Sequence, residues 1–589
     1  MMSGKRKVLK PDQSVEEGTS SRQANLSLLS SPCHGNTVLL GLNELRKEGT
    51  LCDYSLVAEN TTLKVHKAVL AACSDYFRVM MTGDMREARE DSVHLHWVSA
   101  AGLQAVVDFA YTGKLELGIE NVEEVLAAAS HLQMTDVVRL CCEYLEMAIT
   151  EENCVDILNL AELYSLLQMK EQAMLFILEH FESISTADQF NSLNHTQMAA
   201  LLDRNHLKVT SEYHLFLIVL SWIRHRPQQR EPQVAQLMSR VRLPLLTGEE
   251  LVEKVSQEEI MKCNTECNRL LTEAKDYHIV VGKQPLLQSP RTQIRSDQKS
   301  IMMIHGENVD SYNLVTKKHT FLKDATIPLY NPCVCVIDNF MYTCGGKYDN
   351  NSHNEIATAR CFRYDPRFDT WYELASMTEA RKDFVMVAYK GALYAIAGQD
   401  ENILICSMEC FQVAKNEWEM KVALPNASVG SAGAVCNDLI YLSGGQLFDG
   451  YTGKLMCYNP SEDKWTQKAP MIAPRGNHIM EHVNGRLFVI GGNVEDSYGF
   501  AVPTISIEIY SPAVDQWSRS QCQLNVRESG SCVLGSDIYI VGGLNGDHYF
   551  SEMIYAYNTN EDVKAVVEEK HSPRIGRACC ILTLPQYGF

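Results

Sequence analysis

Five strand ends decide the fold: YTCGG (Tyr342–Gly346), YAIAG (Tyr394–Gly398), YLSGG (Tyr441–Gly445), FVIGG (Phe488–Gly492) and YIVGG (Tyr539–Gly543). Their closing glycines stand 52, 47, 47 and 51 residues apart, and Trp371, Trp418, Trp465 and Trp517 follow in phase. A period of about 50 with a glycine at a strand end and a later tryptophan fits one four-stranded propeller blade per repeat. Glycine belongs where a strand passes close to a neighbouring backbone. Tryptophan supplies a large apolar plug between blades. Three repeats add a tyrosine and a turn before the tryptophan: Tyr364-Asp365-Pro366, Tyr458-Asn459-Pro460 and Tyr510-Ser511-Pro512.

A further repeat is degenerate, since SIMMIHG ends at Gly306 with one glycine and no following tryptophan. After a proline turn at Pro573, RACCILTL (Arg577–Leu584) reads as an apolar strand. Two departures stand out. The last repeat keeps Tyr555 and Tyr557 but has no tryptophan at 563–567, and another carries Ala397-Gly398 in place of a glycine pair. The array resembles the kelch family. That resemblance implies an all-β six-bladed propeller over 298–589, closed by lending the C-terminal strand to the first blade, which leaves no free sheet edge.

The 589 residues allow three or four domains, and 46% hydrophobic with 21% charged residues is ordinary globular composition. No apolar run reaches the ~18–20 residues of a membrane helix. The start, MMSGKRKVLK, has basic residues without an apolar stretch behind them, unlike a secretory signal. The expectation is an intracellular, cytoplasmic protein, with Lys5, Arg6 and Lys7 either a solvated tail or a nuclear address. Twenty cysteines scattered without an export signal read as reduced thiols. Cys335, Cys344, Cys436, Cys532 and Cys579 occupy strand positions suited to small hydrophobes. Cys263 and Cys267 have zinc-like spacing but no second pair, so neither a metal nor any cofactor is expected. A formal charge of −20 argues against nucleic acid.

Residues 1–35 are polar and serine-rich and read as a disordered tail. Then a helix face (Val38, Leu39, Leu42, Leu45) precedes two short strands, LCDYSLVA and LKVH, and the helices of HKAVLAACSDYFRVMM. Cys52-Asp53, Tyr54–Ala58, the run His66–Ala71, Ser74–Phe77 and DFAYTGKLEL (Asp108–Leu117) together resemble a BTB domain, α/β in class, over 36–147. Helical spacing continues to about Tyr277 through SEYHLFLIVLSWIRHRP and Val241–Leu245, which resembles an all-α BACK domain over 148–280. The stretch 281–297 has turn residues and no sustained period, as a linker would.

Taken together, the chain resembles BTB-BACK-kelch proteins. The resemblance implies a non-catalytic substrate adaptor of a cullin-3 RING ubiquitin ligase, homodimeric through BTB. It places cullin docking at Met85 and Glu87, with Tyr76 and Leu132 beside them. Met85 and Glu87 match a hydrophobic-x-Glu element, an apolar anchor with a carboxylate fixing register. The protein client would meet the propeller end where the turns entering the innermost strands and the loops after the glycines open. Those turns carry Asn331, Arg381, Asp383, Arg475, Asn477, Arg527, Glu528 and Arg574. Tyr348, Phe448, Tyr451, Tyr498 and Tyr549 sit on the longer loops. Four arginines in one ring predict an acidic client peptide, diluted by Asp383 and Glu528, unless the arginines buttress turns. The competing class is an actin-associated kelch scaffold without a ligase role, which has no need of Met85 and Glu87. Enzyme signatures such as a nucleophile elbow or a phosphate-binding glycine loop are absent from the sequence.

Overall fold

A computed structural model describes residues 34–586 apart from 84–85, 327, 329, 350–354, 402, 545–550, 552 and 569–577. The chain divides into two compact units, one of residues 1–149 with 157–172 and one of 150–156 with 173–589.

In the first unit, strand Tyr54–Ala58 lies between Thr61–Val65, antiparallel, and Ser92–His94, parallel. Tyr54, Leu56 and Ala58 point alternately inward and are buried, the period-two pattern of a half-buried strand. Ser74 ends the helix Lys67–Cys73 and caps the next, Asp75–Thr82, by accepting the Phe77 amide at 3.1 Å. Its hydroxyl also donates to the Leu132 carbonyl at 2.5 Å, tying that junction to the end of helix Val122–His131. Helix Ala100–Thr112 approaches the same helix closely at Gly102, where a Cβ would lie 2.5 Å from the Glu124 carbonyl oxygen.

The second unit begins with helices, among them Glu212–His225, whose Trp222 is buried beneath the Arg230 guanidinium at 3.6 Å. The stretch 281–297 is ordered: it forms two short 3-10 segments, Val281–Leu287 and Pro290–Thr292. A backbone without periodic structure leaves carbonyls to satisfy, and buried arginines do so here. Arg363 donates to Val281, Arg367 to Thr292 and Asp338, and Arg242 to Gln293. Arg295, itself in the stretch, pairs with Glu212 and reaches the carbonyls of Leu202, Arg204 and Arg240.

Beyond it, among the described residues, stand six four-stranded antiparallel sheets. In the first blade the chain's last strand, Ala578–Thr583, pairs with Lys299–His305, from Ala578 opposite Ile304 to Thr583 opposite Lys299. The first blade therefore takes its fourth strand from the C-terminal end, as the resemblance implies. The glycine pairs adopt left-handed backbone, with φ of 60° at Gly345 and 93° at Gly346. A Cβ on Gly346 would lie 2.7 Å from the Tyr330 carbonyl oxygen. Ala397 occupies the first of these positions at φ 60°, a conformation that favours glycine.

The tryptophans do more than fill space. Each indole N–H donates to a carbonyl of the preceding blade: Trp371 to Lys323 (3.1 Å), Trp418 to Ala375 (2.9 Å), Trp465 to Val422 (3.0 Å) and Trp517 to Ala469 (2.8 Å). Beside them Tyr364, Tyr458 and Tyr510 donate to Asp369, Asp463 and Asp515, which accept backbone amides of the preceding blade. In the last blade Tyr557 and Asp562 keep this arrangement without the tryptophan.

Candidate protein-interaction sites

In the first unit, Tyr76 and Glu87 come together while Leu132 does not join them. Tyr76 is half-buried on helix Asp75–Thr82 and packs on His131 with ring centroids 5.7 Å apart. Burial raises its phenol above the usual range, and the nearby Glu87 carboxylate raises it further. Glu87 stands half-exposed on the short helix Arg86–Arg89, held by Tyr54, whose hydroxyl donates to the Glu87 carbonyl at 3.2 Å. Met85 lies outside the described residues. Leu132 is a correction: its side chain is fully buried in the core, and its carbonyl accepts the Ser74 hydroxyl. Sequence reading missed Val79, exposed three residues after Tyr76 on a helix that buries Phe77 and Met80. An apolar residue on the polar face of that amphipathic helix was the available signal.

In the propeller, among the described residues, one residue in each of five blades turns into the innermost strand with left-handed backbone: Asn331, Asp383, Gly430, Asn477 and Glu528, at φ 51–66°. They form a ring. The Gly430 amide donates to the Asp383 carbonyl, Asn477 to Gly430, and Glu528 to Asn477. This ring surrounds the mouth of a cavity of about 220 Å³, also lined by His478, Glu481 and Ser531. Asn331, Asp383, Asn477 and Glu528 are all partly exposed there.

The arginines do not join this mouth, which corrects the sequence reading. Arg381 and Arg475 stand two residues before their ring members and are 0% exposed. Arg381 pairs with Glu409 and donates to the Ala397 and Ser407 carbonyls; Arg475 pairs with Glu508 and donates to those of Gly491 and Ser506. A buried guanidinium costs stability unless it is paired and hydrogen-bonded; here Glu409 and Glu508 supply the opposite charge and the loop carbonyls accept from Nη1. Arg527 stands one residue before its ring member, is also buried, and donates to the Asn493 side chain at 3.2 Å. Arg574 lies outside the described residues. With three arginines turned inward, the described mouth is acidic, and the basis for an acidic client is removed.

Short hairpins rise from the blades after the glycines, including Gln446–Leu447 with Gly450–Tyr451 and Asn493–Glu495 with Ala501–Pro503. Phe448 is fully exposed at the first tip, and Tyr498 and Phe500 are exposed at the second. The two hairpins are joined where the Tyr451 amide donates to Glu495 at 3.2 Å. Tyr451 itself is only partly exposed, and the Tyr348 side chain and Tyr549 lie outside the described residues. Among the described residues no cluster of three or more His, Cys, Asp or Glu is placed to hold a metal ion, and no helix is long and apolar enough to cross a membrane.

Comparison with known proteins fits this architecture from end to end. Residues 42–149 match the BTB/POZ domain, 154–256 the BTB And C-terminal Kelch domain, 328–378 the Kelch motif and 386–586 the KLHDC2/KLHL20/DRC7 Kelch-repeats domain. The chain is 36% identical to Kelch-like protein 26 of Danio rerio over 574 residues, covering 95% of this chain and 94% of the relative. It is 34% identical to Kelch-like protein 36 of Rattus norvegicus over 547 residues, covering 90% and 89%, and 30% identical to Kelch-like protein 15 of Homo sapiens over 595 residues, covering 95% and 97%. Three domain types in this order, relatives matched over nearly their whole length and six blades closed by a C-terminal strand settle the matter: the chain belongs to the Kelch-like family of BTB-BACK-Kelch proteins.

Proposed function

We propose that this chain is a substrate-recognition adaptor of a cullin-3 RING ubiquitin ligase, its BTB domain docking cullin-3 and its propeller holding a protein client. Members of the family generally act as cullin-3 adaptors and carry no catalytic domain. The observation that carries the proposal is the half-exposed Tyr76–Glu87 pair beside exposed Val79, an apolar and acidic surface on the BTB domain. Such a surface suits a partner helix that buries apolar area and offers one donor to the carboxylate. The adaptor works by proximity, holding client lysines near the recruited ubiquitin-charged enzyme. Helix His34–Glu48 leaves Val38 and Leu40 exposed, which supports a symmetric BTB dimer covering them.

The test is cullin-3 capture by the full chain, with Met85→Ala and Glu87→Ala together. Loss of tenfold or more in affinity is expected. Undiminished binding in the double variant removes this docking site, and no binding by the unaltered chain removes the ligase role and favours a scaffold.

A further inference from the structure

Among the described residues, the charged side chains lining the cavity are Asp383, Glu481 and Glu528, with no lysine or arginine. His478 is neutral, since burial and then Arg475 pull it down to about 3. Glu481 sits in the middle of the innermost strand Ile479–Val483, opposite Phe488. The positions in register with it in neighbouring blades are Cys335, Val387, Ala434 and Cys532, opposite Tyr342, Tyr394, Tyr441 and Tyr539. All four are small or apolar. Among the described residues the polar partner of Glu481 is the Ser531 hydroxyl, which donates to it at 2.6 Å. Glu481 is partly exposed in the cavity, where desolvation by the surrounding protein pushes its carboxyl up to about 7 against the lowering effect of that hydrogen bond. A carboxylate set among apolar positions without a cation costs stability. A charged residue where neighbouring blades carry small or apolar ones, inside a cavity, is a candidate for binding.

We propose that the client presents a lysine or arginine side chain to this cavity and that Glu481 is its counter-ion. The inference rests on the propeller being the client-binding element. Four residues of strand, at ~3.3 Å each, set Glu481 ~13 Å beyond Asn477. The matching shape is a turn of peptide that dips through the ring with a long cationic side chain at its tip. Asp383 and Glu528 at the mouth favour the approach of a basic segment and oppose an acidic one. Exposed Phe448 and Tyr498 on the hairpins offer apolar surface to residues flanking that turn.

Short random peptides displayed on phage, selected against the full-length protein, supply the probe. Selected peptides are expected to share one lysine or arginine. Replacing that residue by glutamine, or Glu481 by glutamine, is expected to lower affinity tenfold or more, with Glu528→Gln giving a smaller loss. A shared acidic or wholly apolar core, or a basic core indifferent to both Glu481→Gln and Glu528→Gln, overturns the inference. Selection of no peptide overturns it too. Cullin-3 capture by the same preparation is scored separately: capture with acidic selected peptides leaves the adaptor reading standing without this inference, and basic peptides without capture do the reverse.

Discussion

At pH 8 Glu481 is ionised in an unfolded chain, whose ordinary value is 4.5, while burial in the native state holds the group near 7. Around it stand Ser531 and the thiols Cys335 and Cys532, both pushed up partly by the Glu481 charge itself. Between those values the native state binds more protons than the unfolded one, so this group's contribution to stability falls as pH rises from 4.5 towards 7. Glu481→Gln should therefore raise the Tm by a few degrees at pH 8 and leave it unchanged at pH 4; equal Tm values for the two proteins at both pH values contradict the reading. Arg475 tests the opposite case. Arg475→Ala strands Glu508 in the interior and should cost ~3–5 kcal/mol in denaturant unfolding, with Arg475→Met paired to Glu508→Leu recovering most of it. These roles were only half legible. Arg475 and Arg527 look alike in sequence, yet their distances from the ring differ by one residue. The distinguishing signal was a second position: Arg381 and Arg475 come with Glu409 and Glu508 in the third strand, where other blades have Met456 and Tyr555.

Between blades, the repeating element is a staple of tyrosine, aspartate and tryptophan whose hydrogen bonds end on the preceding blade. Its spacing was plain in the sequence, but the tryptophan alone reads as apolar filling. The polar half appears only when Asp463 is seen taking both the Tyr458 hydroxyl and the Val422 amide. The exception supports the mechanism. Where Phe411 replaces tyrosine and has no hydroxyl to donate, Asn416 replaces aspartate and still accepts the Ala375 amide at 3.0 Å. Trp465→Phe keeps most of the packing and removes the bond to Val422. It should cost ~1 kcal/mol, near the net worth of one hydrogen bond. Asp463→Ala removes two acceptor contacts and should cost more, measured by denaturant midpoint at constant m-value.

Across the whole molecule, closure depends on the six residues Ala578–Thr583 at the far end of the chain from the BTB domain. The exchange was legible because an apolar strand followed the last blade and the first repeat was degenerate, with one glycine and no tryptophan. The ordered stretch 281–297 was not legible, because the arginines that hold it, Arg363 and Arg367, come from a blade far along the sequence. Removing residues 578–589 leaves the first blade with an unpaired edge. Client peptides should then fail to bind, while cullin-3 capture persists. The mass of the full chain mixed with the N-terminal region of cullin-3, read by light scattering after size exclusion, tests the central claim most directly. The account predicts one species of two chains with two cullin molecules, lost when Met85 and Glu87 are both replaced by alanine. Elution of the chain alone, or a complex that persists unchanged in that double variant, would contradict it.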